Sequence, residues 1–169
     1  MKTLGVDPGS VTTGYGVVKG SGQKLLHLAS GYLKVGNKPT FPERLGAIYH
    51  GLTEIIAEYR PEVLAIESLF FSKNVKSAIL LGHARGAAIL AGVNAGLNVY
   101  EYSPLEIKQS VVGYGRAEKR QVQEMVRMLL SLEAIPESNT ADALAVAICH
   151  LNTARSLARL KINETGNTL

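Results

Sequence analysis

Apolar and polar positions along the chain change period several times, and each change predicts an element. The runs KTLGVDP, TGYGVVK and LLHLASGYLKV, separated by Gly, Ser and Asn, predict three antiparallel strands. From Phe41 the apolar residues Leu45, Ile48, Leu52, Ile55, Ile56 and Tyr59 recur at helical spacing until Arg60-Pro61 ends them. EVLAIE and LNVYEY are short apolar runs suited to strands buried on both faces. Between them, roughly from Lys73 to Ala95, lies a helix rich in small residues, among them Gly82, Ala84, Gly86, Ala87, Ala88, Ala91 and Gly92. Glycine is costly inside a helix, so this density predicts close packing against a sheet or against a second subunit. Ser103-Pro104 opens a short helix to Val112, Ala117 to Leu132 predicts another, and Ser138 to Arg155 the last. The order describes an α/β fold, a mixed five-stranded sheet with helices on its faces. Residues 1–156 are expected to form one domain, with a flexible tail over 157–169.

Composition narrows the classes. A length of 169 residues with 46% hydrophobic and 19% charged residues fits a single globular domain with its own core. The lone Cys149, inside ALAVAICH, has no bridge partner and reads as a buried inert thiol. No run reaches a membrane span and the start is strand-like rather than a signal peptide, which predicts a cytoplasmic protein. A formal charge of +4 permits a polyanionic partner without requiring one.

The acidic residues carry more information. Twelve of the fourteen are Glu, and the two aspartates, Asp7 and Asp142, both stand in apolar segments. Asp7 ends a predicted central strand, and Glu67 ends VLAIE in the same way. Buried carboxylates protonate, pair with a cation or bind a metal. Singly, Asp7 before Pro8-Gly9 has the form of a turn residue and Asp142 that of a helix-start residue. Glu67 fits neither description, and the three together favour a metal site. Carboxylates with water suit Mg²⁺ or Mn²⁺, and the lack of Cys and His clusters argues against zinc. Phosphoryl chemistry is the usual use of such a site.

Five segments, GVDPGSVTTGYGV, VLAIESLFFSKN, GHARGAAI, IKQSVVGYGRAEKRQVQEMV and TADALAVAICH, occur in an order that closely resembles the RuvC-type Holliday junction resolvases. These are endonucleases of the ribonuclease H-like superfamily. The resemblance runs to about His150. It implies a ribonuclease H-like fold with three antiparallel strands and then two parallel ones, and a homodimer acting on four-way junction DNA in recombination and repair. RuvA and RuvB branch-migration proteins are the implied partners. Two divalent ions, Mg²⁺ with Mn²⁺ as substitute, are implied at each active site. One would lower the pKa of the attacking water and the other would stabilise the leaving 3′ oxygen. The counterparts of Asp7, Glu67 and Asp142 are metal ligands in the family, and the fourth ligand position falls on Asn139. Lys119 and Lys108 match catalytic basic residues. Phosphate contacts are expected from Lys73, Lys76, Lys108, Arg116, Lys119 and Arg120. Phe70 matches a stacking aromatic; both Phe70 and Phe71 are candidates for DNA contact, and a division of labour is expected in which Phe71 is the ring that packs into the core. The small-residue helix, around Ala78 to Ala91, matches the subunit contact.

Asn139 departs from the family's usual aspartate, with histidine in some members. The spacing to Asp142 keeps both on one helical face while a charge is lost. An amide oxygen is a weaker ligand than a carboxylate and cannot act as a base, so weakened cleavage is expected. Three alternatives follow: a junction-binding protein without activity, a related nuclease acting on RNA, and an actin-like ATPase or kinase. The last would need a second domain.

Overall fold

A computed structural model describes residues 1–68 and 74–165, with side chains to residue 160. Strands β1 (Lys2–Asp7), β2 (Thr12–Ser21) and β3 (Lys24–Lys34) form an antiparallel meander. Helix α1 (Phe41–Tyr59) follows, then β4 (Val63–Glu67), α2 (Val75–Asn94) and β5 (Asn98–Tyr102). The last three elements are α3 (Pro104–Val112), α4 (Lys119–Leu129) and α5 (Ser138–Thr165). The sheet order is β3-β2-β1-β4-β5, with β4 and β5 added parallel to β1, as the resemblance implies.

Period-two alternation divides the sheet into unlike faces. Leu4, Val6, Val17, Leu64 and Ile66 belong to the core shared with α1 and α2. On the other face stand Gly5, Gly14, Gly16 and Ala65, beneath α5. A Cβ at Gly5 would fall on the carbonyl oxygen of Ala143, and one at Gly14 on that of Asn139. The backbone of α5 therefore rests directly on β1 and β2, and only glycine permits that approach. From Ala143 to Leu151 every residue of α5 is buried.

Local signals set the boundaries. Thr40 and Glu43 form a reciprocal capping box at the start of α1, and Arg60 ends it in the left-handed region before Pro61. Ser103 and Glu106 repeat that box at α3. Three expectations need correction. β5 is not buried on both faces: it is the edge strand, with Tyr100 and Glu101 exposed. α4 is shorter than Ala117 to Leu132, because Ser131 turns left-handed at its end. α5 continues past Arg155 to Thr165, where Leu157 and Leu160 are exposed. Residues 156–160 are all exposed, so apolar periodicity misses the extension. Among the described residues no helix is long and apolar enough to cross a membrane.

Candidate active site

Asp7 and Glu67 are the last residues of the neighbouring parallel strands β1 and β4, whose register pairs Val6 with Ile66. Ligand sites in such sheets form beyond the carboxyl ends of parallel strands. Alternation gives Asp7 the face of Gly5, and Glu67 the face of Ala65, so both carboxylates lie on the side covered by α5. Asp7 pairs with Gly14, the glycine that admits the backbone of Asn139. Close packing of α5 thus brings Asn139 and Asp142, one helical turn apart, to the strand ends.

The electrostatics follow from this crowding. Burial, then the charges of Asp142 and Glu67, push the Asp7 carboxyl up to about 7, against a smaller opposing pull from Lys119. Burial and Asp142 likewise raise Glu67, opposed by Lys119 and Lys108. Lys119, at the first position of α4, places its Nζ 2.8 Å from Asp142 Oδ2. Burial disfavours its charge, but the Asp142 hydrogen bond and the carboxylates around it prevail, and its pKa rises. A cleft of about 320 Å³ is lined by Glu67, Lys108, Lys119 and Asp142, with Pro104 and Val122 among its walls.

Neither simple alternative for the aspartates holds. The turn after Asp7 is closed by Thr13, whose hydroxyl accepts from Gly9 N–H at 3.2 Å and donates to Gly9 C=O at 3.0 Å. The start of α5 is held by Glu137, whose carboxylate accepts from the N–H groups of Asn139 and Thr140 at 3.0 and 3.4 Å. Asp142 lies further along the helix.

An all-oxygen donor set with excess negative charge fits a hard divalent cation. Among the described residues no three Asp, Glu, His or Cys side chains form a ready cage for one ion.

The other candidates divide. Lys108 is half-buried in the cleft wall and acts on Glu67. Lys76 and Arg116 are exposed, and Arg120 is paired with Glu124 one turn on at 3.2 Å. Phe70, Phe71 and Lys73 lie outside the described residues. Cys149 is buried, and burial pushes its thiol up to about 11, as expected of an inert cysteine.

Two contributors escape sequence reasoning. Arg85, inside GHARGAAI, donates from Nε to the carbonyl oxygen of Glu67 at 3.2 Å and pairs by charge with Glu101, tying the end of β4 to β5. Glu137 adds negative charge felt by Asp7 and Lys119. The GHARGAAI segment was a signal for Arg85. Glu137 had none, because Glu is not among the favoured N-cap residues.

A larger concavity, about 710 Å³, opens on the opposite side between α1 and α2. Leu45, Tyr49, Ile79 and Leu90 line it beside Gly46, Gly86 and His83, and among the described residues no Asp, Glu, Lys or Arg does. The small residues of α2 serve both directions: Ala84, Ala88 and Ala91 are buried inward, whereas among the described residues nothing packs over Gly86.

Comparison with known proteins agrees with this architecture. The family model described as Crossover junction endodeoxyribonuclease RuvC matches residues 3–150. A crossover junction endodeoxyribonuclease RuvC from Geotalea uraniireducens is 52% identical over 169 residues, 99% of either chain. A structure of T. thermophilus RuvC in complex with Holliday junction substrate superposes with a TM-score of 0.88 at 38% identity, covering 92% of this chain and 96% of that one. The yeast mitochondrial Holliday junction resolvase, at 12% identity, shares the fold with a TM-score of 0.71 over 93% of this chain and 80% of its own.

Proposed function

The chain belongs to the crossover junction endodeoxyribonuclease RuvC family, and on that premise we propose how its residues cut a four-way DNA junction. The family's nucleases are metal-dependent. Asp7, Glu67 and Asp142, with Asn139, hold two divalent cations, Mg²⁺ or Mn²⁺ in its place. The observation that carries this reading is the approach of three carboxylates, at the ends of β1 and β4 and the start of α5, where burial first and the charges of Asp142 and Glu67 next raise Asp7 to about 7. When bound, such cations activate a water and neutralise a departing 3′ oxygen.

The chain's own groups supply the rest. Asp7 gives up its proton to hold a cation, so binding releases protons and strengthens with pH. Lys119, paired with Asp142 in the free protein, stands where an incoming phosphate meets the carboxylates and offsets their charge. Lys108 does the same from the Glu67 side. Lys73, Lys76, Arg116 and Arg120 contact the DNA backbone, with affinity that falls as salt rises. Phe70 stacks on an unpaired base, and Phe71 shares its support. Asn139 gives this chain a weaker fourth ligand than an aspartate would.

A junction presents two equivalent strands, which calls for two sites related by a two-fold axis. The apolar groove between α1 and α2 supports a homodimer through that face. RuvA and RuvB are partners on the strength of the resemblance, and the cytoplasm is the place where all three meet junction DNA.

Labelled four-way junction, linear duplex and structured RNA, each incubated with the chain in Mg²⁺, test the substrate. Paired nicks in opposed strands of the junction, with duplex and RNA left intact, are expected. Preference for RNA, or equal cutting of duplex, would overturn the assignment. Tight junction binding with no cut in either metal would establish the inactive alternative.

A further inference from the structure

The side chain of Asn139 has one end that can ligate a cation, its carbonyl oxygen, and one that repels it, its NH₂. Which end faces the strand ends is decided by what holds the other. Here Glu137 Oε1 accepts from Asn139 Nδ2 at 3.3 Å, while Glu137 Oε2 takes the backbone N–H groups of Asn139 and Thr140. Both carboxylate oxygens are needed: one caps α5 and the other captures the amide nitrogen. Oδ1 is then the end left to face away from Glu137. The backbone of Asn139 is itself fixed, lying against Gly14 beside the strand pair that carries Asp7.

We infer that Glu137 is a positioning residue that orients the Asn139 amide oxygen-first toward the metal site, making a neutral side chain a usable ligand. This rests on the metal reading of Asp7, Glu67, Asp142 and Asn139 given above. The same contact would turn against an aspartate at 139, since two carboxylates would then face each other where a hydrogen bond now stands. Glu137 and Asn139 therefore form a matched pair.

Glu137→Gln isolates the effect. Its carbonyl oxygen still caps the helix, but the group facing residue 139 becomes NH₂. Asn139 then flips to offer its oxygen to Gln, and its own NH₂ turns toward the metal. In an Asn139→Asp background the same glutamine donates to the new carboxylate and removes a repulsion. The substitution should thus act with opposite sign in the two backgrounds.

Calorimetric titration of the full chain with Mn²⁺, without DNA, provides the test. The native chain, E137Q, N139D and E137Q/N139D are compared, with D7N as reference. E137Q should weaken Mn²⁺ binding by about tenfold in the native background. In the N139D background it should leave binding unchanged or strengthen it. An equal loss in both backgrounds would overturn the inference, because Glu137 would then act through charge or capping alone. No loss in the native background would overturn it too. If D7N binds Mn²⁺ as tightly as the native chain, the metal reading itself fails. If D7N loses binding while E137Q does not, only the role of Glu137 fails.

Discussion

The two sides of the molecule use small residues to opposite ends. Under α5, Gly5, Gly14 and Gly16 remove side chains so that helix and strand backbones meet, and charged groups are drawn into partial burial. On α2, Gly82 and Gly86 line an apolar hollow shared with α1, which among the described residues no Asp, Glu, Lys or Arg lines. One side crowds carboxylates at the strand ends, and the other exposes carbon between α1 and α2. Small residues thus have no fixed meaning; their effect depends on what lies opposite.

The comparison can be broken most severely at Gly5. Gly5→Ala sets a Cβ against the Ala143 carbonyl, a backbone atom that cannot swing aside. A loss of about 3 kcal/mol is expected from chemical denaturation, with reduced nicking as α5 lifts from the strand ends. Gly86→Ala, where none of the described residues lies within contact, should be neutral or stabilising in the monomer. Equal costs at the two glycines would erase the distinction between the faces.

The outward face is probed by Ile79→Asp, which puts a charge in the hollow. Sedimentation should show dimer dissociation raised by about thirtyfold, with the monomer's fold retained. An unchanged dimer would move the subunit contact elsewhere.

A smaller effect sharpens the inward face through pH. Asp7 titrates near 7 in the fold against 3.8 ordinarily, so between those values the native state holds a proton that the unfolded chain has lost. Stability in chelator should therefore fall as pH rises from about 4 to about 7 and level off above. Calorimetry should show Asp7→Asn flattening that slope, and Mg²⁺ raising the melting temperature more at about pH 8 than at pH 5. A slope that survives Asp7→Asn would assign it to other groups.

Much of this was legible in the sequence because it is local. Alternation in the first three strands, the helical spacing from Leu45 to Tyr59 and the Pro stops all act within a few residues. The carboxylates Asp7, Glu67 and Asp142 were visible because charge at apolar positions is expensive wherever the partners are. What escaped is tertiary. The exposure of β5 depends on sheet order, since an edge and a centre can share the apolar run LNVYEY. Arg85 acts across elements on a carbonyl, and Glu137 acts as a cap of an unusual residue type.

The central claim is that the carboxylates where β1, β4 and α5 meet hold the metal that cuts the junction. It is tested most directly by the nicking rate of a labelled four-way junction in Mg²⁺, measured for the native chain and Asp7→Asn at equal junction occupancy. A loss of at least about a hundredfold in Asp7→Asn, with junction binding intact, is the predicted result. Nicking by Asp7→Asn at the native rate would contradict the account.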